Sequence, residues 1–195
     1  REVGNSLDKQ LKLLINNFHG FQFNAKVMIV LVEAGYIQEV LEKSDYPKFL
    51  IILLTESDRS LVKETCCRKI IKLFGKKKDD EPVGGKIEFI NMVEPLVQIV
   101  ARAKDNGPKL TALSVMSLVN LCNYGEDIKE IFMAKNGHAI ICDLLNSKDE
   151  DILLNDLRLI MILIQQKQGD QTQLGGYIAD EQECRVLKKL VQLVK

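Results

Sequence analysis

Apolar residues along this 195-residue chain recur at intervals of three and four, and no stretch alternates in the manner of a strand. Leu110, Leu113, Ser117, Leu118 and Leu121 fall on one broad helical face, as do Leu154, Leu157, Met161 and Ile164. Short breaks follow these runs: "HG" at 19–20, "AG" at 34–35, "NG" at 106–107, "NYG" at 123–125 and "NG" at 136–137. Glycine or asparagine in such a place adopts the left-handed conformation that ends a helix. The starts are marked as well. Ser57 and Asp58 precede "RSLVKETCCRKIIKLF", and Pro108 suits a first helical turn. Ser147 and Asp149 stand before a helix with acids in its first turn.

The helices repeat. "FLIILL" at 49–54, "PLVQIV" at 95–100, "IICDLL" at 140–145 and "KLVQLV" at 189–194 are similar short runs, and "QLKLLI" at 10–15 is an earlier candidate copy. The first three are followed by longer helical patterns at 60–73, 108–121 and 152–164. A helical unit recurring at about 40–47 residues is the period of armadillo and HEAT repeats. The stretch 126–164 resembles one armadillo repeat: "EDIKEIFMAKNG" as its first helix and glycine turn, "HAIICDLLNSKDED" as its second helix and loop, "ILLNDLRLIMILI" as its third. "SVMSLVNLC" at 114–122 resembles the end of the preceding third helix.

This resemblance implies an all-α fold, an armadillo-like right-handed helical solenoid of about three full repeats with partial repeats at both ends. The expected organisation is one domain over 1–195, in approximate units 1–45, 46–85, 86–124, 125–170 and 171–195. The segment 75–85, "GKKKDDEPVGG", cannot continue an amphipathic helix and is expected to be an insertion loop, solvated or partner-contacting. Residues 165–182 are polar and contain glycine, and are expected to form a second loop. The chain opens at Arg1 in mid-pattern, so a fragment of a longer array is expected.

Composition narrows the function classes. Lys plus Arg and Asp plus Glu each number 27, so there is no basic excess of the kind that nucleic-acid binding favours. No apolar run approaches the ~20 residues needed to cross a bilayer, so no membrane insertion is expected. The five cysteines, Cys66, Cys67, Cys122, Cys142 and Cys184, form no CxxC pair, and His19 and His138 lie far from them. No metal and no cofactor are expected, and the thiols read as small core hydrophobes in a reducing compartment. There is no GxSxG, no HExxH, no phosphate-binding loop and no EF-hand loop, so no catalytic residues are assigned and no enzymatic activity is expected.

A protein-interaction role remains. Stacked third helices present an extended surface suited to an extended peptide, a helix or neighbouring assembly subunits. The resemblance implies that Asn120 occupies the position where importin-like repeats hold a peptide backbone, its amide able to donate and accept together. The tryptophan of those repeats is replaced by Met116, and the equivalent asparagine positions fall on Lys72 and Ile164. Arg68, Lys69 and Lys72 make one basic turn, which suits an acidic or phosphorylated peptide or is a solvated helix face. The candidate protein-binding residues are therefore Arg68, Lys72, Met116 and Asn120. The expected role is a scaffold or adaptor in a cytoplasmic assembly, cytoskeletal or ciliary arrays being among the habits of the family; the alternative is a peptide-groove receptor of the importin or catenin type.

Overall fold

A computed structural model describes residues 47–75 and 89–164. The units expected at 1–45 and 171–195, the loop positions 76–85 and 165–182, and Cys184 and His19 lie outside the described residues. Within them all regular structure is helical: α1 (Pro47–Glu56), α2 (Ser60–Phe74), α3 (Val93–Ala101), α4 (Ala103–Asn106), α5 (Pro108–Tyr124), α6 (Glu126–Ala134), α7 (Gly137–Leu144) and α8 (Glu150–Ile164). The fold class is all-α, and the three long helices begin and end close to the sequence-predicted positions.

The helices pack in two series. α1 contacts α3, and α3 contacts α7; α2 contacts α5, and α5 contacts α8. Within the units, α1 lies on α2, α3 on α5, and α7 on α8, while α6 touches α3, α5 and α7. A continuous core results, running from Leu50, Leu53 and Leu54 through Leu96, Leu110 and Leu118 to Phe132, Leu144 and Leu159. Each such side chain removed from water contributes on the order of 1.5–3 kcal/mol before entropy is counted. An edge-to-face triad joins three separate elements: Phe74 at the end of α2, Phe89 ahead of α3 and Tyr124 at the end of α5. Its ring centroids are 4.8, 5.4 and 5.7 Å apart.

The sequence signals at helix ends are met in part. Pro108 is at the first turn of α5, after Gly107 at φ 77°, a backbone conformation that costs glycine little. At 136–137 the left-handed residue is Asn136 (φ 66°) rather than the glycine. Gly137 is required by space instead: a Cβ there would lie 2.5 Å from the Phe132 ring and 2.7 Å from its carbonyl oxygen. Gly125 is extended (φ −158°), so the "NYG" break turns the chain without a left-handed residue. Ser57 does not cap α2, which starts at Ser60. Its Oγ accepts the Arg59 N–H at 3.3 Å and closes the preceding turn. Asp149 does cap α8, accepting the Ile152 N–H at 3.0 Å, and Ser147 Oγ accepts the Asp149 N–H at 3.1 Å.

A shared apolar face does not by itself identify the core side of α8. The Leu154–Leu157–Met161–Ile164 face of α8 is not the core face: Leu154, Met161 and Ile164 are 48%, 60% and 52% exposed. The buried face is Ile152, Asn155, Asp156, Leu159, Ile160 and Leu163. "ILLNDLRLIMILI" is apolar nearly all round, so three-and-four spacing fits more than one face. The face chosen buries Leu159, Ile160 and Leu163 at the spacing at which α5 buries Ser114, Val115 and Leu118 and α2 buries Cys66, Cys67 and Ile70.

Because the Gly137 contact involves both backbone and ring, Gly137→Ala is expected to destabilise the chain by about 1–3 kcal/mol. Urea unfolding followed by far-UV circular dichroism measures this; an unchanged midpoint would show that the α6–α7 turn can open to accept a methyl group.

Candidate protein-binding groove

The groove follows from how the three long helices meet. Each of the later two sends polar side chains to the backbone of the one before it. Asn120 Nδ2 on α5 donates to the Ile71 carbonyl of α2 at 3.4 Å, and Asn155 Nδ2 on α8 donates to the Ala112 carbonyl of α5 at 3.3 Å. Ser117 Oγ lies 2.8 Å from the Leu113 carbonyl of its own helix and 3.3 Å from the Cys67 carbonyl across the seam. Its one proton serves the shorter of these first. Ser114 Oγ meets Cys67 Sγ at 3.5 Å. Small side chains on α5 thus let α2 approach, and an amide fixes the seam at one register.

Toward the N-terminal half of α5 the helices part around a cavity of about 330 Å³, lined by Arg68 of α2, Pro108, Lys109, Ala112, Leu113 and Met116 of α5, and Asp149, Asp151 and Asn155 at the start of α8. Ala112, Leu113 and Met116 are partly buried against the core and make an apolar floor. The walls carry opposite charge. Lys109 Nζ is 2.7 Å from Glu64 Oε2, and Arg68 reaches the same oxygen at 3.9 Å. One carboxylate therefore serves two exposed cations. On the other wall Asp149 spends one oxygen capping α8, and Asp151 is exposed in its first turn. Asn155 is held from both ends, its Oδ1 accepting from Arg158 Nη1 at 3.1 Å.

Arg68 and Met116 are thus brought together, while Lys72 and Asn120 do not line this cavity. Lys72 is exposed near the C-terminal end of α2, and Asn120, half-buried, lies beside it on the Ile71 carbonyl. The burial register also puts Ile164, 52% exposed, off the position equivalent to half-buried Asn120. Asp149, Asp151 and Asn155 were missed as groove residues. The acids were legible only as helix-start signals, because their proximity to Arg68 depends on α8 docking beside α5.

The ionisable groups in the core are unsuited to nucleophilic work. Burial pushes the Cys66 and Cys67 thiols up, and it pushes Cys122 up to about 12, so all three stay protonated near neutrality. Among the described residues no three or more His, Cys, Asp or Glu side chains cluster in a way that would hold a metal ion. No described helix is long and apolar enough to cross a membrane. Lys129, almost fully buried, is neutralised by Glu126 at 3.0 Å. Asp156 is different: it is fully buried, and neither carboxyl oxygen has a hydrogen-bond partner among the described residues. Burial raises it to about 8.

Comparison with known proteins adds no relative: no family model matches the chain, and no curated protein matches it.

Asp156 sets a pH dependence whose sign is fixed by its elevated value. The folded chain keeps this proton up to about pH 8, whereas an unfolded aspartate loses it near 3.8. Between those values the folded state binds more protons, so stability falls as pH rises, with the full penalty present above about 8. Asp156→Asn removes the charge and is expected to flatten this slope and to raise stability relative to the parent at high pH. Urea midpoints at about pH 5, 7 and 9 test it; parallel profiles for parent and variant would show that Asp156 does not titrate in that window.

Proposed function

We propose that this chain is a segment of an armadillo-like, right-handed helical solenoid that works as a non-enzymatic protein-interaction scaffold or adaptor in a larger cytoplasmic or cytoskeletal assembly. The observation that carries this reading is the ordered contact of short helices, α1 to α3 to α7, alongside that of long helices, α2 to α5 to α8. Units that pack only on their sequence neighbours build an array whose surfaces are extended and open to partners. The exposed apolar residues of α8 favour a role among other proteins. Protonated, buried thiols favour a non-catalytic chain, and free cysteines suit a reducing cytoplasm.

A second reading, a receptor for an extended peptide in the manner of importins or catenins, is favoured by the groove that spans α2, α5 and α8. The two readings separate at Asn120. As a seam residue on the Ile71 carbonyl, Asn120→Ala costs about 1 kcal/mol of stability and leaves partner affinity unchanged. As a peptide-holding residue, its loss weakens binding about tenfold or more, the equivalent of at least ~1.4 kcal/mol. Urea unfolding and a titration with the partner measure both quantities on the same variant.

Cross-linking mass spectrometry on the chain isolated with its native partners tests the wider proposal. Partner cross-links concentrated on Lys72 and Lys109 are expected of a receptor, and partner cross-links elsewhere of a scaffold. Isolation of the chain with no stoichiometric partner would overturn both.

A further inference from the structure

We infer that the groove between α2, α5 and α8 takes a charge-balanced protein segment: one apolar side chain flanked by an acidic residue and a basic residue. The inference rests on the interaction role proposed above and assigns the chemistry of the occupant.

The charges are the reason. Arg68 and Lys109 form one wall, and their shared counter-ion, Glu64, is on their own side. The 3.9 Å approach of Arg68 leaves most of its guanidinium free for a second carboxylate. Asp149 and Asp151 form the opposite wall, and Asp151 makes no ion pair among the described residues. The two walls are therefore not neutralised across the groove. A purely acidic segment would meet Asp149 and Asp151, and a purely basic one would meet Arg68 and Lys109. Like charges facing each other at close range are the usual means of rejecting a wrong partner.

The floor supplies the third element. Ala112, Leu113 and Met116 are apolar and only partly covered. The volume, about 330 Å³, is at the small end of ligand pockets and accepts a side chain or two rather than a folded element. Met116 adds an adaptable surface for a branched or aromatic anchor. Asn155 contributes rigidity, not recognition, since both ends of its amide are already engaged. An extended chain advances roughly 3.3 Å per residue, so an acid and a base within about two positions of the anchor would reach the two walls.

The test uses the full chain and four fluorescein-labelled octapeptides: one with an acid and a base flanking leucine, one with two acids, one with two bases, and one with leucine alone. Fluorescence anisotropy is expected to give at least tenfold tighter binding for the charge-balanced peptide than for any other. Arg68→Glu should shift preference to the two-base peptide, and Asp151→Lys to the two-acid peptide. The double exchange should restore the charge-balanced preference. Both positions are exposed, so thermal unfolding monitored alongside should fall only slightly, from a second acid four residues after Glu64 and from a cation in the first turn of α8. Equal binding of all four peptides, tightest binding of the two-acid peptide by the parent chain, or absence of binding would overturn the inference. In any of those cases, native partners cross-linked elsewhere on the chain would leave the scaffold role standing, whereas absence of any partner would remove both.

Discussion

None of these helices can bury its apolar surface alone, and α5 is where that constraint is met. It lies between α2 and α8 in one series and against α3 and α6 on its remaining sides. Leu110, Val115, Leu118, Leu121 and Cys122 are all buried as a result. The rest of the described structure depends on this helix. The groove is its N-terminal half, the aromatic triad closes over its C-terminal residue Tyr124, and both polar seams begin or end on its backbone or side chains. Proline at its start and glycines on either side allow a 17-residue helix to begin and end abruptly between short connections.

The apolar periodicity made the helices legible, because a core shared between packed helices demands a buried face on each. "PLVQIV" and the longer runs at 108–121 and 152–164 fall inside observed helices, and "IICDLL" does so up to its last residue, Leu145, which caps α7. What periodicity could not decide was which side of α8 turns inward. Where nearly every residue is apolar, the outcome rests on docking, and the docking chosen here buries Asn155 and Asp156 while exposing Leu154 and Met161. Hydropathy alone would place those four residues the other way round. The helix breaks were legible as breaks, but their backbone solutions differ: Asn136 left-handed, Gly125 extended, Gly137 forced by Phe132.

The candidate site was legible to a lesser degree, for a related reason. Arg68 and Met116 belong to adjacent long helices, so the packing of α2 on α5 already brings them near each other. Asp149 and Asp151 enter only through the way α8 starts: the Ser147 and Asp149 turn opens the helix whose first residues line the groove beside the start of α5. Asn120 shows the limit of arguing from side-chain chemistry. Its amide is suited to a peptide bond, and it does meet one, but that bond is the Ile71–Lys72 linkage of its own chain.

The two seams between long helices do not use the same groups. One places Ser114, Ser117 and Asn120 against Cys67 and Ile71; the other places Asn155, braced by Arg158, against Ala112. Apolar faces as alike as these set the sliding register of one long helix on the next only loosely, whereas a polar pair is made at one register. A slip of α5 along α2, or of α8 along α5, would take the amide away from its carbonyl at a part-buried seam, where an unmade hydrogen bond costs about 1 kcal/mol. Each amide thus pins its seam lengthwise, whatever the length of the loops that join the helices.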